Sequence, residues 1–76
     1  MTKLEQIARA IAKAEHGTDA MWANHMGAAR AAVEEARNVN EAMREAGYTG
    51  SGEDSYGVAV GAWEAMCDAI LSEPQP

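Results

Sequence analysis

The chain has 76 residues, one cysteine and a formal net charge of −6, and it reads as one small domain near the lower size limit for a self-sufficient core. The lone Cys67 excludes an intrachain disulfide, and no apolar run approaches the ~18 residues of a membrane span. Residues 1–44 hold all six bases and six acids, whereas residues 45–76 hold six acids and no base, so clustered Lys/Arg for direct nucleic-acid binding is lacking.

Residues 2–16 form the first expected helix. Thr2-Lys3-Leu4-Glu5 spells a capping box, Leu4, Ile7, Ala8, Ile11 and Ala14 make a buried stripe, and Glu5, Arg9, Lys13 and His16 face water. Gly17 ends this helix, and the short Gly17-Thr18-Asp19 turn predicts a helical hairpin. A second helix is expected over 19–46, capped by Thr18 or Asp19 and ended by Gly47. Its stripe is Trp22, Met26, Ala29, Val33, Ala36, Asn40 and Met43, and Arg30–Glu34 and Arg37–Glu41 stand at pairing distance along it. Unbroken, it would be roughly 42 Å long, more than the roughly 30 Å width of a compact chain this size. Asn38-Val39-Asn40 is the weakest helical stretch, so a break is placed there, with Asn40 capping a short helix 41–46. The alternative is a straight rod whose overhang a second copy covers.

Residues 47–55 read as a glycine-rich loop, and the last helix runs from Glu53 or Ser55 to Ser72. Ala59, Val60, Trp63, Met66, Cys67 and Ile70 share its buried face, while Gly57, Gly61, Glu64, Asp68 and Ser72 share the other. The expected architecture is all-α: three main helices plus a short one in a single domain over 1–72, followed by a disordered tail over 73–76. With so much of its apolar content in alanine, a monomer buries little area, and a weak homodimer is the other expected state.

Few residues point to chemistry. His16 and His25 lie nine apart on different helices without a surrounding ligand cluster, so they read as a helix-end cation and a core-border residue. Cys67 has no neighbouring cation to lower its pKa and reads as a core thiol. The glycines at 47, 50 and 52 lack the strand and the Lys of a phosphate loop, and Glu53 and Asp54 would repel a phosphate there. No enzyme activity, cofactor or metal is expected. Gly57 and Gly61 are harder to dismiss, because each costs roughly 1 kcal/mol of helix propensity. With Glu53, Asp54, Glu64 and Asp68 they form the candidate partner-binding face, a glycine strip with an acidic flank.

Three segments in order, Ile7-Ala8-Arg9-Ala10-Ile11, Ala29-Arg30-Ala31-Ala32-Val33-Glu34 and Trp63-Glu64-Ala65-Met66-Cys67-Asp68-Ala69-Ile70-Leu71, carry a resemblance. The chain resembles a group of small phage and prophage proteins of proteobacteria whose pattern runs IARAI, W, ARAAIEAMR, WxAMIDAAL. Those proteins often carry Pro-Thr where this chain has Val39-Asn40, in keeping with a break. The resemblance implies a phage accessory product in the bacterial cytoplasm, a setting in which many small proteins block host proteins, CRISPR effectors among them. The expected function is therefore an acidic inhibitor of a host defence complex, of the anti-CRISPR kind, that occupies a basic nucleic-acid-binding surface. The alternative is a homo-oligomeric structural or accessory module with Trp22 and Trp63 at the subunit contact.

Overall fold

A computed structural model describes residues 1–51 and 56–74. Four α-helices, α1 (Lys3–His16), α2 (Met26–Arg37), α3 (Glu41–Ser51) and α4 (Tyr56–Ser72), and a one-turn 3₁₀ helix (Trp22–His25) account for most of them. There is no strand among the described residues, and the fold is all-α.

Helix α1 forms where its punctuation demands. The Thr2 hydroxyl accepts a hydrogen bond from the Glu5 amide at 3.2 Å, and Gly17 at φ 76° closes the other end by donating its N–H to the Lys13 carbonyl. Leu4, Ala8 and Ala12 are fully buried, whereas Ala14, expected in the stripe, is exposed. Glu5 is only 7% exposed, not in water as its place opposite the stripe suggested. Arg9 explains this burial. Its Nε donates to Glu5 at 3.1 Å, its Nη1 reaches Asp19 at 3.1 Å, and its guanidinium lies 4.9 Å from the centre of the Trp22 ring.

The segment after Gly17 departs from expectation. Asp19 does not cap an α-helix; the chain turns through residues 17–21, makes the 3₁₀ turn, and becomes α-helical only at Met26. The pull is tertiary, since Asp19 and Trp22 are held by Arg9 across the hairpin. The break at 38–40 is present: Asn38 is extended, and the Asn40 side chain accepts from the Met43 amide at 2.9 Å as the cap of α3. Helix α3, however, runs past Gly47 to Ser51 instead of ending there. Gly47 serves packing, because a β-carbon on it would sit 3.1 Å from the Ala59 β-carbon of α4. Of the expected loop 47–55, residues 47–51 are thus helical, and the Ser55 or Glu53 start of α4 lies outside the described residues.

The inward face of α4 is rotated from the expected one. Cys67 is buried, Trp63, Ile70 and Leu71 pack on the core, and Met66 points out at 61% exposure. The core is small: Leu4, Ala8, Ala29, Val33 and Cys67, ringed by half-buried Ile7, Ile11, Trp22, Met26, Trp63, Ile70 and Leu71. With so little area to bury, contacts at the helix ends matter. The four carbonyls at a helix C-terminus and four amides at its N-terminus lack intrahelical partners. Glu73 accepts from the Lys3 amide of α1 at 2.9 Å, the Trp63 indole N–H donates to the Ala36 carbonyl of α2 at 2.7 Å, and Arg30 donates to the Leu71 carbonyl of α4 at 3.3 Å. Each contact joins elements far apart in sequence. Glu73 is thereby tied to the start of α1, although the sequence reads as a tail from that residue on.

The described residues build an elongated molecule. Helix α3 packs on α4 and on no other helix, and the principal extents are 45 × 24 × 16 Å. The radius of gyration is 14.6 Å, against roughly 11 Å for a compact chain of this length. Among the described residues no helix is long and apolar enough to cross a membrane.

Candidate functional site

Four of the six residues of the expected docking face, Gly57, Gly61, Glu64 and Asp68, are among the described residues. Glu53 and Asp54 lie outside the described residues. Gly57 is in the first turn of α4; Gly61, one turn on, is exposed, and a β-carbon there would meet nothing within 4 Å. The strip at Gly61 is therefore open. Glu64 and Asp68 are engaged within the chain. Arg37, at the end of α2, donates from Nε to Asp68 Oδ1 at 2.7 Å and from Nη2 to Oδ2 at 3.2 Å, a bidentate pair, while its Nη1 lies 3.6 Å from Glu64. The break at 38–40 puts Glu41 on another helix, and Arg37 turns across to α4 instead. Hydrogen bonding to Arg37, opposed by partial desolvation, holds the Asp68 carboxyl below its usual range, and the same bonds raise Arg37.

The arm made by α3 and the first turns of α4 has its own apolar feature. Val39, Met43, Gly47, Ala59, Val60 and Trp63, with Arg44 as the one charged residue, line an open groove of about 300 Å³. Trp63 is shared, since it also lines the cleft where Ile7, Val33, Cys67 and Ile70 meet. Its ring divides the core from the groove, with the indole N–H pinned to α2. Met43 at 39% and Val58 at 52% exposure extend the apolar surface of the arm. Sequence periodicity placed Met43 and Val60 in a core; α3, packed on α4 alone, leaves Met43 exposed and Val60 half-buried in the groove wall.

Cys67 is buried, and burial, reinforced by Asp68, pushes its thiol pKa up, so it is held as the thiol, not the nucleophilic thiolate. The two histidines, nine apart in sequence, are brought together by the α1 hairpin: His16 Nε2 and His25 Nε2 are 3.2 Å apart. Glu15 joins them, so a ligand cluster exists where spacing alone showed none. The signal was the tight turn at Gly17, which folds the residues after it back along the end of α1. No family model, curated protein or solved structure matches the chain.

Proposed function

We propose that this chain is a protein-binding module that seats an apolar segment of its partner in the α3–α4 groove. The observation that carries this is the groove itself, apolar and open, on an arm that the core does not need to cover. The chemistry of the partner follows from charge. Residues 45–76 carry six acids and no base, so the complementary surface is basic around an apolar anchor. Glu64 and Asp68 are already paired with Arg37 within the chain, so the proposal assigns the acidic contacts to other acids of this stretch, Glu53 and Asp54 among them. The resemblance to phage and prophage proteins supports the setting: a host defence complex, of the CRISPR kind, whose basic nucleic-acid-binding surface this protein would occupy. The reading is of an inhibitor and not an enzyme, acting as a monomer or weak homodimer in the bacterial cytoplasm.

The test compares the wild-type chain with Met43→Glu and with the pair Glu53→Lys and Asp54→Lys, all immobilised and exposed to a fractionated host extract. A nucleic-acid-binding complex retained by the wild type, released by high salt and displaced by its own DNA or RNA, and lost with both variants, is the expected result. Retention unchanged by Met43→Glu would remove the groove from the account. A chain that captures only itself, with a mass in light scattering that rises with concentration, would favour the self-assembling module.

A further inference from the structure

His16 is the last residue of α1 and His25 the last of the 3₁₀ turn, and neither is used by the core or by the groove. Their Nε2 atoms are 3.2 Å apart, with ring centroids at 5.3 Å and ring planes inclined by 51°. A carboxylate oxygen of Glu15 completes a set of three ligand atoms that all lie within 4.8 Å of one another. Two imidazole nitrogens bound to one tetrahedral zinc, each at about 2.0–2.1 Å, stand roughly 3.3–3.4 Å apart. The pair is already at that separation without a change of backbone.

We propose that Glu15, His16 and His25 form a binding site for a borderline divalent transition-metal ion, zinc foremost. Two imidazoles and a carboxylate suit zinc, cobalt or nickel, and give magnesium or calcium too few oxygen ligands. Three protein ligands leave the remaining positions to water. The frame is fixed independently of the metal: Gly17 sets the reversal, and Arg9 clamps Asp19 and Trp22 on the far side of the turn. Bound metal would staple α1 to the 3₁₀ turn, at the opposite end of the hairpin from the Thr2 cap, and would stabilise the folded chain by mass action. Without metal the same 3.2 Å contact is a hydrogen bond in which one ring donates and the other accepts, and that arrangement is indifferent to added zinc.

The experiment uses the full chain without a polyhistidine tag, stripped with chelator, then titrated with zinc and separately with magnesium. Binding heat and melting temperature are both read. Saturating zinc should raise the melting temperature by about 5 °C or more, and magnesium should leave it unmoved. His16→Gln and His25→Gln should each abolish the zinc effect while keeping the helical circular dichroism, and Glu15→Gln should weaken it. A wild-type chain that shows neither heat nor a shift with zinc would overturn the site, and this arm does not depend on how the variants fold. Equal zinc binding by the double His16→Gln, His25→Gln variant would overturn it as well, since the ion would then be held elsewhere.

Discussion

The two ends of this molecule are both helical, and among the described residues they are held in different ways. At the first, α1, the 3₁₀ turn, α2 and the last turns of α4 surround Leu4, Ala8, Ala29, Val33 and Cys67, and Glu73, Arg30 and Arg9 lock helix ends and turns from across the fold. At the second, α3 leans on α4 alone, with Gly47 allowing close approach and Met43 and Val58 left exposed. The difference teaches how a chain with so few large side chains holds together. Alanine helices bury little area each, so the fold depends on a few large residues and on partners for the orphan groups at helix termini. Among the described residues, α3 has its Asn40 cap and its contact with α4, and the groove beside that contact stays open.

The largest effect that would break this contrast comes from the core. Leu4→Ala removes the largest fully buried apolar side chain and should cost about 2–5 kcal/mol, enough to unfold so small a domain, whereas Met43→Ala on the exposed arm should cost less than about 1 kcal/mol. Urea denaturation of the two variants reads both, and similar losses would erase the distinction between the ends. Trp63→Ala should fall near the lower figure for a truncated aromatic, about 3 kcal/mol, because the ring is half-buried and its indole N–H is hydrogen-bonded to Ala36.

Smaller effects sharpen the comparison along α3 and α4. Gly61→Ala should stabilise by up to about 1 kcal/mol, since its new methyl meets nothing and helix propensity improves. Gly47→Ala should gain less or lose stability, because its methyl would press on Ala59. Thermal melts of the pair measure the packing of the arm directly. The smallest effect is electrostatic. Asp68 titrates lower in the folded chain than its ordinary value of about 3.9, so its pairing with Arg37 stabilises above that pH and is lost as pH falls through the folded value. Asp68→Asn should therefore lower stability slightly at neutral and alkaline pH and leave it unchanged at the acid extreme, which flattens the acid limb; a curve identical to the wild type would show that the pair is worth nothing in solution.

Helix identity, the Thr2 and Gly17 boundaries and the break at Asn38–Asn40 were legible because they rest on local chemistry: a hydroxyl cap, a left-handed glycine, and an Asn side chain that caps α3 in place of a continued helix. What was not legible came from contacts between distant residues. Nothing local marks Arg37 as the partner of Asp68, so Asp68 and Glu64 read as free acids on a docking face. Gly47 looked like a helix stop because glycine usually is one, and only the approach of Ala59 shows its other use. Glu5 and Arg9 lay opposite the hydrophobic stripe, yet the hairpin brings Asp19 and Trp22 over them. Of the candidate site, Gly57 and Gly61 lie on α4, and Gly61 is exposed. The groove needed the bend at 38–40 to exist before its walls could be named.

The central claim is that α3 is an arm held by one neighbour, while α1 and α2 belong to the cooperative core. Amide hydrogen exchange of the free chain tests it most directly, residue by residue. Protection should be greatest around Leu4–Ala12, Ala29–Val33 and Cys67, and the amides of α3 should exchange at least about tenfold faster, a difference of roughly 1.4 kcal/mol in opening free energy. Protection in α3 equal to that in α1 would contradict the account.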